Sequence, residues 1–318
     1  MEHAIVKNIL RDYNLGSLEK IDELSPGYAN RSYRLETDQG VFLFRWILEK
    51  GIEDLHTEIS LLNALKVIDY PTAYPINRAD GNYITHSAQG FVVLYDFIAG
   101  KQPGLSETVG EAIGEAVGRL SSFEPPDRFR RKNTITIVQN IDLSESLSMA
   151  PYQYPDIYDF FREQTDYLSN GIELGLPMGL IHADVFPDNT IFNGDQLKGI
   201  IDFEEACWDE LLFDLAMTIN GFCFPENNLS LPLLTSLVQG YSNNRKLSPE
   251  EWDALPIYIQ WTAHGMLSWH LSRLSQQANP RQEYRIRELM SRVIVLRKQE
   301  NSLSEFFRSI QETALRAH

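Results

Sequence analysis

The chain has 318 residues, 43% of them apolar, enough to bury one large core or two lobes. A formal charge of −16 argues against a nucleic-acid or anionic-membrane surface, because duplex binding relies on clustered Lys and Arg to displace counterions. Two cysteines, Cys207 and Cys223, support neither a zinc site nor a disulfide framework, and no apolar run approaches membrane-spanning length, so a cytoplasmic location is expected.

In chain order, residues 3–13 read as a short amphipathic helix. The octet from Ser25 to Ser32 holds one glycine, Gly27, which permits close backbone approach, while Asn30 and Ser32 can donate to phosphate oxygens; the same octet would also pass as a plain turn. Residues 32–36 and 41–47 form an antiparallel hairpin about the turn 37–40. Val41, Leu43, Arg45 and Ile47 share one face of its second strand, and Phe42, Phe44 and Trp46 the other. A charge on an apolar face calls for a partner. The helix expected over 53–67 supplies one in Glu58, which lies beside its apolar stripe of Leu55, Ile59, Leu62 and Leu65.

Residues 90–98 make an apolar run, and 99–104 then break regular structure, which places a lobe boundary between 1–97 and 98–318. Ser106 caps a following helix whose Gly110, Gly114 and Gly118, spaced by four, permit close packing on a neighbouring element. A helix near 156–170 comes next. After the catalytic hairpin the chain to 318 is helical by pattern, with a cap at Ser248-Pro249 and a long segment to Leu274 carrying Trp261, His264, Trp269, His270 and Arg273. His264 and His270 are six apart, the wrong spacing for a shared metal on one helix face.

The chemistry concentrates in the middle of the chain. His182-Ala183-Asp184 is followed by Asn189 and then by Ile201-Asp202-Phe203, an order and spacing suited to phosphoryl transfer from ATP. Asp184 can accept the proton of an attacking hydroxyl, and Asn189 and Asp202 can hold Mg2+. Short apolar strands flank the loop, and Asn193-Gly194-Asp195 is a tight turn, so a hairpin is expected to deliver Asp202 at its end. Asp214 sits in an apolar helical run, where a carboxylate persists only if hydrogen-bonded; backbone N–H groups of the loop around His182 are the expected donors.

The segment from Met178 to Phe224 resembles the aminoglycoside-phosphotransferase and choline-kinase superfamily, and within it the homoserine kinases of bacteria. The specific part is the run from His182 to Asn189 and the run from Asp214 through Asn220 to Cys223; residues 71–81 are similar to the family's linker, and beyond Pro280 the resemblance ends. It implies a bilobal protein-kinase-like α+β fold: an N-lobe antiparallel sheet with one main helix, and a mostly helical C-lobe carrying a catalytic hairpin. It further implies that Arg45, held by Glu58, touches the ATP phosphates and that the main chain of Asp96, Phe97 and Ile98 reads the adenine edge. Glu204 and Glu205 depart from the aromatic or neutral pair expected after Phe203 in homoserine kinases, which opens the choice of acceptor.

The expected activity is phosphorylation of a hydroxyl on a small amino-containing molecule, homoserine first, with choline, ethanolamine or a similar amino alcohol as the alternative. Glu204, Glu205, Asp209 and Glu210 would attract an ammonium group, Glu205 and Asp209 serving as acceptor contacts, and Arg273 would receive a carboxylate. Two rivals are a pseudokinase scaffold, which has no need of a full metal set, and a protein kinase, which the short spacing from Asp202 to Asp214 disfavours. No nucleic-acid or membrane partner is expected.

Overall fold

A computed structural model describes residues 2–24, 30–126, 129, 131–148, 154–172, 175–274 and 280–316. Helix α1 (Glu2–Leu10) continues into a 3₁₀ turn at Arg11–Tyr13 and leads to the strands β1 (Leu18–Glu23), β2 (Asn30–Thr37) and β3 (Gly40–Ile47). Helix α2 (Ile52–Val67) follows, then β4 (Ile84–Ser87) and β5 (Gly90–Asp96). The five strands form one antiparallel sheet in the order β1-β2-β3-β5-β4. Strand β1 escapes the sequence pattern because four of its six residues are charged, a composition that suits an edge strand.

The alternation expected for β3 is present. Phe44 and Trp46 are buried with Tyr33, Leu35, Val92 and Leu94 against Val6, Leu10 and Tyr13 of the N-terminal helix and turn. Burial of an aromatic ring of this kind contributes roughly 1.5–3 kcal/mol. Arg45, one residue out of phase, therefore emerges on the opposite face. Helix α2 buries Leu55, Ile59, Leu62 and Leu65 as expected, and Glu58 with them.

Helices α3 (Glu107–Ser121), α4 (Ile137–Ser148) and α5 (Pro155–Gly171) open the second region, and β6 (Met178–Ile181) follows. The Ser106 hydroxyl accepts from Val109 N, the expected cap of α3. Next come the hairpin β7 (Thr190–Asn193) and β8 (Gln196–Ile200), the short strand β9 (Cys207–Glu210), and α6 (Leu211–Phe222), α7 (Leu231–Asn244), α8 (Pro249–Leu274), α9 (Pro280–Lys298) and α10 (Glu300–Arg316). The hairpin turns at Gly194, whose φ of 59° is the left-handed conformation such a turn requires. Strand β6 does not belong to this hairpin; it pairs with β9 instead.

The chain divides into two compact units, the first comprising 1–102, 125–129 and 190–204 and the second the remainder. Residues 190–204 join the first unit through backbone bonds: Lys101 and Phe192 exchange N–H···O contacts of 2.9 and 2.8 Å, and Ile200 N donates to Pro71 O at 2.9 Å. In the second unit α3 lies on α7 at the closest backbone approach that glycine allows. A Cβ on Gly114 would stand 2.0 Å from Leu237 O, which explains the four-residue glycine spacing. No helix among the described residues is long and apolar enough to cross a membrane.

Candidate active site

Strand β6 delivers His182, Ala183 and Asp184 into a loop anchored from beneath by α6. The Asp214 carboxylate is fully buried and accepts from His182 N at 3.0 Å and from Ala183 N at 2.8 Å, the expected backbone donors. Burial raises its pKa to about 6 against the opposing pull of these two N–H groups. The loop it holds is strained: Ala183 has φ 66°, a left-handed conformation that costs a residue with a Cβ on the order of 1 kcal/mol or more. His182 is buried, and its Nδ1 accepts from Asp184 N at 3.2 Å, which assigns the proton of the neutral ring to Nε2.

Asp184 is clamped by Asn189. The amide Nδ2 donates to Asp184 Oδ2 at 2.7 Å and to Asp184 O at 2.9 Å, while Asn189 N bonds Phe186 O at 2.9 Å. With the nitrogen committed to Asp184, the amide oxygen is the atom suited to a hard cation. Helix α6 also touches the far side of this loop, because a Cβ on Gly221 would come within 2.9 Å of Val185 O. The loop is thus seated on α6 at two points, Asp214 and Gly221.

The first unit holds a charge cluster of its own. Asp202, with φ 69°, accepts from Arg45 Nη2 at 2.9 Å, and Glu204 Oε2 lies 3.6 Å from the same guanidinium nitrogen. Burial disfavours the charge of Arg45, but the carboxylates of Asp202, Glu58 and Glu204 outweigh it and hold its pKa above the ordinary range. The expected ion pair between Arg45 and Glu58 takes another form. Glu58 acts on Arg45 through the electrostatic field, while the ammonium 3.9 Å from its carboxylate belongs to Lys50.

Lys50 also reaches Glu204, at 3.2 Å to the carboxylate and 3.1 Å to the backbone carbonyl, and Asn30 Nδ2 donates to Glu204 Oε2 at 3.2 Å. The Glu58 pKa is raised by burial, with Arg45 and Lys50 opposing. Sequence reasoning missed Lys50, because Glu49-Lys50-Gly51 reads as a solvated turn and its partner lies 154 residues away.

Ser32 stands opposite Arg45 in the β2–β3 register, and Gly27 lies outside the described residues. At the end of β5 the N–H of Asp96 donates to Tyr74 O at 2.9 Å, so the main-chain donors expected at an adenine edge narrow to Phe97 and Ile98. The Phe97 ring carries the Arg34 guanidinium at 5.3 Å.

The acidic run after Asp202 is divided among different tasks. Glu204 serves the Arg45 and Lys50 cluster, as above. Glu210 is buried and accepts from Gly175 N at 2.7 Å, from Leu176 N at 3.1 Å and from the Tyr258 hydroxyl, bonds that make it a structural anchor. Asp209 accepts from Asn133 Nδ2 at 2.7 Å, and burial raises its pKa against that bond. Glu205 is exposed and accepts from Thr134 Oγ1 at 3.3 Å. Arg273 is exposed as well and lies over the Trp269 ring at 3.4 Å, near the end of α8.

Among the described residues no group of three or more His, Cys, Asp or Glu could hold a metal alone. Magnesium needs no such cage, since it binds one or two protein oxygens and takes the rest from phosphates and water. The amide oxygen of Asn189 and the carboxylate of Asp202 fit that donor set. Thr190 pairs with Ile200, so at one end of the hairpin the chain enters from Asn189 and leaves toward Asp202.

A model of the phosphotransferase enzyme family (APH) matches residues 20–255. The chain belongs to this family. It is 30% identical over 274 residues to a homoserine kinase of Nitrobacter winogradskyi, covering 84% of this chain and 82% of the relative. The homoserine kinase of Rhizobium etli is 31% identical over 278 residues, with 85% and 84% covered.

Among solved structures, a microcompartment-associated aminopropanol kinase superposes with a TM-score of 0.71 at 16% identity, covering 95% of this chain and 98% of the other. The amicoumacin kinase hAmiN, in complex with AMP-PNP, Ca2+ and its antibiotic, gives 0.71 at 12% identity, with 92% and 93% covered. These likenesses show a kinase-like fold, and the family shows a small-molecule phosphotransferase.

Proposed function

We propose that this phosphotransferase moves the γ-phosphoryl group of ATP, with Mg2+, to the hydroxyl of L-homoserine. The similarity to homoserine kinases at 30–31% identity over more than four fifths of both chains carries the choice of acceptor. The clamped Asp184 supports the chemistry. Its carboxylate orients the acceptor hydroxyl and takes its proton as the bond to phosphorus forms. Asn189 fixes that carboxylate through Nδ2, so the reacting oxygen is positioned before substrate arrives.

Asn189 and Asp202 are the residues that would hold magnesium, which supplies charge neutralisation at the phosphates when bound. Arg45 adds a half-buried, permanently charged guanidinium to the same task, and the Phe97 and Ile98 main chain reads adenine. A pseudokinase scaffold would have no use for a carboxylate and amide held in this register.

The test is ADP release against L-homoserine, 3-aminopropanol, choline and ethanolamine. Strong preference for homoserine is expected. The likeness to an aminopropanol kinase supports the second reading, and comparable turnover of 3-aminopropanol would favour it.

A further inference from the structure

Glu204 is the acid at which this chain departs from the pair expected after Phe203 in homoserine kinases, and it stands at the centre of the charge cluster of the first unit. One of its oxygens, Oε2, meets three donors that arrive from different parts of the sheet region. Asn30 Nδ2, at the start of β2, lies at 3.2 Å, and Lys50 Nζ, in the turn between β3 and α2, also at 3.2 Å. Arg45 Nη2, in β3, lies at 3.6 Å. An oxygen ringed by a guanidinium, an ammonium and an amide N–H has the surroundings that suit a phosphoryl oxygen. Two of the three donors, Asn30 and Arg45, are also the residues whose positions in the sequence point to phosphate.

The donors keep their places without this carboxylate. Arg45 Nη2 is held more closely by Asp202 Oδ1, at 2.9 Å, and Lys50 Nζ bonds the Glu204 main-chain carbonyl at 3.1 Å with Glu58 at 3.9 Å. The backbone of Asn30 is paired with Ile47 across β2 and β3. The carbonyl that Lys50 uses is anchored as well, because Phe203, one residue earlier, is 2% exposed and meets the Tyr70 ring edge-on at 6.1 Å. The Glu204 side chain is 21% exposed, so it can rotate toward solvent about its own bonds while the main chain stays.

The charge balance favours that rotation when a polyphosphate arrives. With Glu204 in place, the two cations Arg45 and Lys50 face three carboxylates, Asp202, Glu204 and Glu58, and an anionic ligand meets net negative charge. With Glu204 turned away, two cations face two carboxylates, and three N–H donors converge on the position it leaves.

We propose that Glu204 is an internal stand-in for nucleotide phosphate: its carboxylate occupies a three-donor anion site formed by Asn30, Arg45 and Lys50, and it turns out of that site when ATP delivers a phosphoryl oxygen to the same donors. The proposal gives Lys50 a direct contact with ATP, makes Glu204 a brake on nucleotide binding, and rests on the kinase reading above. Were Glu204 a fixed scaffold for the two cations, or a further ligand of the metal, its removal would weaken nucleotide binding. The sign of the effect therefore separates the readings.

The experiment measures Kd for ATP by isothermal titration calorimetry, at saturating Mg2+ and constant ionic strength, in the wild-type protein, Glu204→Gln, Glu204→Ala and Glu205→Gln. Glu204→Gln keeps the shape and removes the charge, and should tighten ATP about tenfold. Glu204→Ala empties the position and should do at least as much; it decides where the two differ. Glu205→Gln removes an equal charge from the exposed next residue and should change Kd little. In steady-state assays the KM for ATP should fall in both Glu204 variants while the KM for the acceptor stays.

Unchanged or weaker ATP binding in Glu204→Ala overturns the inference and leaves the kinase reading standing. Equal tightening in Glu205→Gln also overturns it, because the effect would then belong to the overall field and not to one occupied position. A wild type that binds no nucleoside triphosphate overturns both.

Discussion

Asn189 Nδ2 lies 2.7 Å from Asp184 Oδ2, and the same nitrogen reaches the Asp184 carbonyl, so one amide fixes both the side chain and the main chain of Asp184. In the proposed mechanism the pairing divides the amide between two tasks, nitrogen toward the base and oxygen toward a cation. Asp184→Asn keeps the shape of the loop and removes the proton acceptor. Turnover should fall by roughly 10²–10⁴, the usual worth of a general base, with the melting temperature unchanged. Retention of more than about a tenth of wild-type kcat would remove Asp184 from that role.

Lys50 lies 3.9 Å from the Glu58 carboxylate and 3.2 Å from that of Glu204, and so offsets negative charge that otherwise falls on Arg45, the guanidinium proposed above for the phosphates. Lys50→Met leaves Asp202, Glu204 and Glu58 facing one cation, a field that repels a triphosphate. The KM for ATP should rise about tenfold, equivalent to about 1.4 kcal/mol. Adding Glu204→Gln to that background should recover most of the loss, because it removes the charge that Lys50 had balanced. Steady-state kinetics at constant ionic strength would read this, and losses that simply add would show that Lys50 and Glu204 act independently.

The parts of this site legible in sequence are those governed by local periodicity. The two-residue alternation of β3 put Arg45 opposite Phe44 and Trp46, and the apolar context of Asp214 called for backbone donors in the loop after β6, which are His182 N and Ala183 N. What escaped depends on pairing across long stretches of chain. Lys50 meets Glu204 across 154 residues, and Glu210 is consumed by Tyr258 and two backbone amides, so four nearby acids in sequence do not act as one field.

Packing of α3 on α7 should be intolerant of any side chain at Gly114. A methyl group would stand 2.0 Å from Leu237 O and 2.8 Å from Tyr241 N, both backbone atoms with no rotamer to yield. Gly114→Ala gains helix propensity worth about 1 kcal/mol yet must separate two helices, an overpacking cost of typically 1–3 kcal/mol or more. Net destabilisation is expected in chemical denaturation. Gly104→Ala serves as the control, since nothing lies within 4 Å of a Cβ there.

The fully buried Asp214 links stability to pH with a definite sign. Its pKa is raised from 3.8 to about 6 by burial, so the folded protein retains a proton that the unfolded chain releases. The stability this contributes is complete below the unfolded pKa and is lost as pH rises through about 6. A shift of this size is worth roughly 3 kcal/mol at about 1.4 kcal/mol per pH unit, to order of magnitude. Asp214→Asn cannot titrate, and it also loses one acceptor for the His182 and Ala183 amides, so it should be less stable than the wild type at pH 4. The stability gap between the two proteins should narrow by up to that amount between pH 4 and pH 7, measured by urea denaturation at both ends. A gap that widens over the same interval would mean that the two backbone N–H bonds outweigh desolvation and hold Asp214 ionised.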